Sequence, residues 1–283
     1  MTEHQAGLSR QSVVVGVDGT TTALHAVRWA AAEAVARACP LTIAHAASYA
    51  VDAAAARRAE GILGRARTVA HRAEPGLDVA TRRLDSAPAP GLLDLAEDAA
   101  LLVVGLIAES VEDAYLGSVA LGLLGRASCP VAVVRGADEA AGSMIVAGVD
   151  DPSNDGGVLS AAFTEAHAHN LPLVVVHAHG RGSDHRGDRL DAELAQRSAL
   201  FPSVPVTAER VHGNAADSLR RRASGARMLV VGTRGPHDPS RLLLGSTSRA
   251  LVRNSPCPVV VAHRSAAEPA AAGTTDSLGS GIQ

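Results

Sequence analysis

The stretch Ser12-Val-Val-Val-Gly-Val-Asp18 returns 132 residues later as Met144-Ile-Val-Ala-Gly-Val-Asp150. Three further pairs of segments repeat in the same order, namely Cys39–His45 with Leu171–His177, Leu101–Gly105 with Met228–Gly232, and Cys129–Val134 with Cys257–Ala262. A repeat of this length indicates a duplicated domain and not the short unit of a solenoid. The fold of the chain is therefore expected to be one unit built twice.

Each unit alternates strands with helices. The strands are continuous runs of Val, Ile and Leu, which is typical of a parallel sheet covered on both faces. The predicted strands are 12–17, 41–46, 77–83, 101–105 and 130–135, then 144–149, 172–177, 204–210, 228–232 and 258–262. The predicted helices are 21–38, 53–73, 89–99 and 116–127, then 155–169, 187–199, 214–224 and 244–254. The pattern predicts an α/β fold of two tandem five-stranded, doubly wound parallel sandwiches.

The expected domain limits follow from the repeat and from composition. We expect a first domain over 12–136, a linker over 137–142 and a second domain over 143–264. Residues 265–283 are small, polar and aperiodic, and residues 1–11 are polar, so both ends are expected to be disordered.

Composition excludes several classes of function. The net charge of −3 and the five aromatic residues argue against a nucleic-acid partner, since neither a basic surface nor a stacking platform is present. The absence of lysine excludes a Walker-type P-loop and Schiff-base chemistry. Three scattered cysteines do not suit a disulfide framework or a zinc site. Because the start of the chain lacks an apolar segment and the apolar runs are short, we expect a cytoplasmic protein with no membrane partner.

A glycine-rich loop is the main candidate for chemistry. The chain reads Gly232-Thr233-Arg234-Gly235, then nine residues, then Gly245-Ser246-Thr247. It lies between a predicted strand and a predicted helix, where backbone amides can approach and bind phosphates. We expect the amides around Thr233 to Gly235 and at Gly245-Ser246 to hold phosphates, with hydroxyl groups from Ser246 and Thr247. Arg234 or Arg241 would supply positive charge. The alternative is that the glycines of this stretch are ordinary loop glycines.

Polar residues at the strand ends are further candidates. Asp150 and its counterpart Asp18 end the first strand of each unit. Each is either a helix N-cap or a carboxylate at the crevice floor that hydrogen-bonds a ribose hydroxyl or reaches a metal on the phosphates. His45 and His177 also occupy equivalent strand ends, and we expect them to be hydrogen-bonded structural residues. The sequence contains no recognisable catalytic constellation.

In these motifs and their order, the chain resembles the universal stress protein family in its tandem two-domain form. The resemblance covers residues 12–135 and 144–263. It implies an ATP-binding α/β sandwich of the adenine nucleotide alpha hydrolase-like type, with the fifth strands pairing the two domains edge to edge. Here Pro130–Arg135 and Pro258–His263 would join the halves as an intrachain pseudo-dimer, which also covers an exposed sheet edge.

The resemblance assigns a complete site to the second unit. Asp150 takes the adenosine-side carboxylate and the backbone at Ala178 contacts the base. Gly213 matches a glycine that follows the third strand. The phosphate loop is formed by Gly232, Gly235, Gly245 and Ser246, with Thr233, Arg234 and Thr247 beside them.

The first unit departs from this pattern. Its counterpart residues are Asp18, Gly105, Gly117 and Ser118, but Ala108 replaces the second glycine and only eight residues separate it from Gly117. Asp85-Ser86 stands where the second unit has Gly213, and a carboxylate there would repel phosphates. We therefore expect weak or absent nucleotide binding in the first half.

The expected function is nucleotide-modulated stress response or signalling, with ATP bound mainly by the second domain and Mg²⁺ as an option. Two alternatives stay open: a slow ATPase or adenylyl-transferring enzyme of the same fold, and an interaction module that binds no nucleotide. A further homodimer and an unknown downstream protein partner are also left open.

Overall fold

The computed structural model describes residues 11–47, 53–106, 117–136, 142–151, 155–179, 184–233 and 244–263. The strands are β1 Ser12–Gly16, β2 Leu41–Ala46, β3 Val79–Leu84, β4 Ala99–Gly105, β5 Val131–Val134, β6 Ile145–Val149, β7 Leu173–His179, β8 Val206–His212, β9 Met228–Gly232 and β10 Val259–Ala262. The helices are α1 Thr21–Ala36, α2 Ala53–Ala73, α3 Pro88–Ala96, α4 Ser118–Leu124, α5 Gly156–His169, α6 Asp184–Leu200, α7 Ala215–Ala223 and α8 Ser246–Asn254.

All ten strands form one sheet, in the order β3-β2-β1-β4-β5-β10-β9-β6-β7-β8. Neighbouring strands within each half run parallel, and β5 and β10 pair antiparallel at the centre, with Val133 opposite Val259 and Ala132 opposite Val260. The predicted α/β class, with two five-stranded units joined through their fifth strands, is confirmed. The pairing removes one exposed edge from each half.

The predicted elements are present with small shifts at their ends. Helix α1 stops at Ala36, two residues early, because Ala38 adopts a left-handed conformation with φ of 51°. Strand β3 starts two residues later than predicted, since the Leu77 amide is used in a turn with Glu74. Strand β7 continues two residues further than predicted because it pairs with β8 as far as His179. The expected disorder at 1–10 and 265–283, and the linker segment 137–141, lie outside the described residues.

Two hydrophobic cores, one on each face of the sheet, run through both halves. One face is covered by α1 and α2 together with α5 and α6, and its core contains Trp29 from the first half and Phe163 from the second. The other face carries α3, α4, α7 and α8, and its core contains Leu102 and Leu229. Because each core draws fully buried side chains from both halves, the halves share the apolar burial that stabilises them.

Side chains of one half donate hydrogen bonds to helix ends of the other. The Arg135 guanidinium donates to the Ser255 carbonyl at 3.5 Å, just after α8. On the other side of the sheet centre, His263 Nε2 donates to the Leu124 carbonyl at 3.0 Å, the last residue of α4. Carbonyls at a helix C-terminus carry partial negative charge and lack helical partners, so such contacts are favourable.

We predict that the halves unfold together. Phe163→Ala, in the second half, removes a fully buried ring and should lower the free energy of unfolding by about 3–5 kcal/mol. Trp29, the single tryptophan, is buried in the first half, so its fluorescence should report the same lowered midpoint as circular dichroism. Leu200→Ala, at a side chain that is 71% exposed, is the control and should leave the midpoint unchanged. An unshifted Trp29 transition in Phe163→Ala would show that the halves unfold independently.

Candidate functional site

The strand order places the candidate site at a reversal point of the sheet. In the second half the chain runs outward from β6 through β7 to β8, then returns to the other side of β6 at β9. Ligands of such sheets bind beyond the carboxyl ends of the strands at this reversal. Asp150 follows β6 and Gly232 ends β9, so both lie there. Ala178 is half-buried on β7, one residue beyond the last pair that β7 makes with β6, Val149 with His177.

Two hydrogen bonds close the ends of the glycine-rich loop onto each other. The Gly245 amide donates to the Thr233 carbonyl at 2.7 Å. The buried Ser248 hydroxyl donates to the Gly232 carbonyl at 2.6 Å. The structure therefore brings Gly232 and Thr233 to the start of α8. Arg234, Gly235 and Arg241 lie outside the described residues.

The start of α8 presents backbone amides at this point. Gly245 is the N-cap residue and makes no side-chain cap, since it has no side chain to bond the first-turn amides. Ser246 is exposed and Thr247 is half-buried, so both hydroxyls are available beside those amides. Amides and partial positive charge at a helix N-terminus favour an anion.

The first half repeats the backbone of this helix start but not its side chains. Gly117 has φ and ψ of −59° and 154°, and Gly245 has −58° and 155°. Counted from these glycines, Val119 and Ala120 stand where the second half has Thr247 and Ser248. Ala120 has no hydroxyl to bond the carbonyl of Gly105, the counterpart of Gly232. The loss of two hydroxyls is a difference that the glycine pattern alone does not reveal.

A buried carboxylate that the sequence reasoning missed holds the turn after β6. Asp155 Oδ2 accepts the Asp150 amide at 2.8 Å and the Asp151 amide at 3.1 Å. Burial raises the pKa of Asp155 to about 6; the two amide bonds oppose the rise and the charges of Asp150 and Asp151 add to it. Asp155 is also the N-cap residue of α5, although its side chain makes no cap bond. The N-cap alternative for Asp150 is therefore wrong. The sequence signal that points to Asp155 is its position as an acidic residue immediately before a helix.

The first half organises the equivalent turn differently. The exposed Asp18 uses Oδ1 to accept the Thr20 amide at 2.9 Å and the Thr20 hydroxyl at 2.6 Å. Thr20 in turn caps α1 by accepting the Ala23 amide, so the N-cap alternative is wrong for Asp18 as well. Gly19 follows with φ of 89°, a conformation that favours glycine, where the second half has Asp151. The strand-end carboxylate of the first half is thus engaged in its own turn.

Histidines tie neighbouring strand ends together in both halves. His45 Nδ1 donates to the Val17 carbonyl at 2.7 Å, and His177 Nδ1 donates to the Val149 carbonyl at 3.0 Å. Both rings are buried. Each carbonyl belongs to the residue before the strand-end aspartate. The histidine therefore holds the backbone that precedes Asp18 or Asp150 in place.

Two of the candidate glycines have structural reasons of their own. Gly213 has φ of 108° between β8 and α7, which favours glycine whether or not a ligand is bound. The next residue, Asn214, caps α7 by accepting the Asp217 amide at 3.1 Å. A Cβ on Gly105 would lie 2.9 Å from the Thr22 carbonyl oxygen, so close packing of α1 requires glycine there. At Gly117, by contrast, an added Cβ would meet nothing within 4 Å.

The chain belongs to the universal stress protein family, whose model matches residues 9–135 and 144–263. A universal stress protein of Mycobacterium tuberculosis is 32% identical over 293 residues, covering 92% of this chain and 99% of the relative. One of Mycobacterium bovis is 29% identical, covering 90% and 98%. The solved structure of a universal stress protein from Archaeoglobus fulgidus has a TM-score of 0.75 at 16% identity and covers 90% of this chain and 99% of that one. None of the described helices is both long and apolar enough to cross a bilayer.

We predict that Asp155 makes stability depend on pH. Since its pKa is raised from 3.8 to about 6, the folded state holds a proton that the unfolded state has released, and the free energy of unfolding falls as pH rises through this window. Asp155→Asn keeps an oxygen acceptor for both amides and should remove this part of the slope, at most about 3 kcal/mol. Urea denaturation between pH 4 and 7 measures the effect, with Asp94→Asn at an exposed position as the control. An unchanged slope in Asp155→Asn would contradict the assignment.

Proposed function

We propose that the protein binds an adenine nucleotide, ATP, in the second half and acts by nucleotide-dependent changes in conformation or partner binding. The observation that carries the proposal is the closed loop at the reversal point of the sheet, where the Gly245–Thr233 and Ser248–Gly232 hydrogen bonds place helix-start amides beside the glycine strand end. The family resemblance favours ATP as that nucleotide. The proposed binding unit is the domain over 143–264.

In this proposal the phosphates lie on the amides of the glycine-rich loop and the first turn of α8. Ser246 and Thr247 add hydroxyl donors, and Arg234 adds charge from the loop. Gly232, Gly235 and Gly245 leave room for close approach of the phosphate chain because they have no Cβ. The open space around Gly117, whose backbone angles match those of Gly245, supports this interpretation, since internal packing does not demand glycine at that helix start.

The adenosine part would occupy the ends of β6 to β8. Asp150 would accept a hydrogen bond from the ribose or reach Mg²⁺ on the phosphates, and the backbone of Ala178 would contact the base. Asp155 supports this end of the site because it holds the backbone of Asp150. Gly213 lies at the third strand end, where its conformation forms the turn into α7.

We propose one working nucleotide site and a degenerate first half over 12–136. Val119 and Ala120 lack the hydroxyls of the second half, and the loop between Gly105 and Gly117 is one residue shorter with Ala108 in place of a glycine. Each difference removes a donor or space for a phosphate. The first half then serves as the pairing partner that completes the sheet.

The stoichiometry of ATP binding tests the asymmetry. Calorimetric titration of the full chain should give one binding event, which Gly235→Ala and Gly245→Ala should weaken at least tenfold, about 1.4 kcal/mol. Ala108→Gly and Ser118→Ala, in the first half, should leave that event unchanged. Two equal sites in the wild-type protein would overturn the asymmetry, and no binding at all would overturn the proposed function.

The Ser248 hydroxyl provides a second test. Ser248→Ala gives the second half the residue that the first half has at Ala120 and leaves the Gly232 carbonyl without its side-chain donor. We expect about a tenfold loss of ATP affinity and a stability loss of about 1 kcal/mol. Thr68→Ala, which removes a hydroxyl that bonds the Gly64 carbonyl within α2, is the matched control. Equal ATP affinity in Ser248→Ala and wild type would show that this bond does not shape the site.

A further inference from the structure

Five charged or titratable side chains meet between the two halves, far along α1 and α5 from the candidate site. Glu33 comes from α1 and Arg37 is its C-cap residue, Glu165 and His169 come from α5, and Arg227 precedes β9. We call these five residues the interface cluster. Glu33 and Glu165 are equivalent in the repeat, as are Arg37 and His169, because both pairs are 132 residues apart.

Direct contacts connect the interface cluster across the halves. Arg37 Nη2 donates to Glu165 Oε1. His169 Nε2 lies 2.8 Å from Glu33 Oε2, and Arg227 Nη2 donates to Glu33 Oε1 at 3.0 Å. The side chains of Glu33 and Glu165 are 0% and 1% exposed, so both carboxyl groups are removed from water.

One oxygen of the interface cluster has no partner. Glu165 Oε2 is buried and makes no hydrogen bond to any described residue. A buried carboxylate oxygen without a donor is costly, and the neighbouring Glu33 carboxylate adds like-charge repulsion. A proton on Oε2 removes the charge and leaves Oε1 free to accept the Arg37 bond as before.

A metal ion is the other occupant that this geometry suggests. Glu33, Glu165 and His169 each offer a ligand atom, and these atoms lie within 4.8 Å of one another. However, the two arginines already balance the two carboxylates when His169 is neutral. A divalent cation would leave two uncompensated positive charges in a buried site, and it would displace Arg227 Nε, which lies 3.3 Å from His169 Nε2. A proton adds one charge and displaces nothing.

We propose that the interface cluster is a proton-binding site, with Glu165 Oε2 as the proton acceptor, and that proton uptake strengthens the pairing of the two halves. The charged groups that face Glu165 are Arg37 and Glu33 from α1 and His169 from its own helix, with Arg227 behind Glu33. The pKa of Glu165 is raised to about 7 overall: burial raises it most, Arg37 opposes the rise, Glu33 adds to it and His169 opposes it. Burial raises the pKa of the Cys129 thiol to about 11, and the charge of Arg37 opposes this only weakly, so the thiol stays neutral between pH 5 and 8.

The direction of the effect follows from linkage. An unfolded glutamate releases its proton near pH 4.5, whereas Glu165 in the paired halves keeps it to near neutrality. The folded state therefore binds more protons in this window, and the joined halves become less stable as pH rises from 5 to 7.5. For these two pKa values the folding equilibrium constant changes on the order of 60-fold between those pH values.

Denaturation of the full chain between pH 5 and 7.5 tests the proposal. Wild type should show this decline on top of the smaller one expected from Asp155, whereas Glu165→Gln, which mimics the protonated acid, should lose the part due to Glu165 and keep the part due to Asp155. Glu209→Gln, at a surface ion pair with Arg222, is the matched control and should behave as wild type. Hydrogen exchange of the β5 and β10 amides, corrected for the pH dependence of intrinsic rates, should show the same decline in protection where the two halves pair. Amides of β2, away from the pairing, serve as the comparison.

A direct titration keeps the proposal testable if Glu165→Gln does not fold. Carbon NMR of wild-type protein with labelled glutamate carboxyl carbons should show one carboxyl that titrates near pH 7. The proposal is overturned if every glutamate titrates below pH 5.5, or if the pH slope of Glu165→Gln equals that of wild type. It is also overturned if Zn²⁺ stabilises wild type but not Glu165→Gln or His169→Ala, because the cluster would then be a cation site.

Discussion

The antiparallel pairing of β5 with β10 is the interaction on which the rest of the structure depends. It is short, with three residue pairs from Val131–Val261 to Val133–Val259, yet it turns two five-stranded sheets into one of ten strands. Once the strands are paired, helices from both halves lie side by side over each face. The two cores then extend across the join, and the buried side chains of one half contribute to the stability of the other.

The same pairing explains where polar groups cross between the halves. Strand ends at the centre of the sheet bring Arg135 and His263 to helix ends of the opposite half, one on each side. Burial lowers the pKa of His263, so its ring stays neutral and donates through Nε2. On the face covered by α1 and α5, the approach of the helices buries Glu33 and Glu165. Among the described residues, the hydrogen-bond partners of these groups lie in the other half, so they specify how the halves fit together.

The repeated sequence was sufficient to predict the fold. The four matching segment pairs located eight of the ten strands, all except β3 and β8, and the residues between them gave the helices to within a few positions. The ends were less predictable because they depend on local bonds, such as the Leu77 amide that delays β3. At the candidate site, the sequence indicated the glycine positions but not Asp155 or Ser248, because their roles depend on where their side chains point. The interface cluster was missed for a different reason: a glutamate on an apolar helix face is recognisable, but its partners come from 128 to 194 residues away.

The difference between the halves has a physical basis in what each must preserve. A half that loses its ligand contacts still has to supply β5, half of each core and the partners of the buried charges. Those requirements involve Val, Leu and Ala side chains, Glu33 and Arg37, and they include the buried Leu106, the residue after Gly105. Gly105 itself is needed for the packing of α1, whatever happens to the loop that follows. Val119 and Ala120 of the first half carry no hydroxyl and instead pack against or within one core, so the first half meets these requirements without the hydroxyls of the second half.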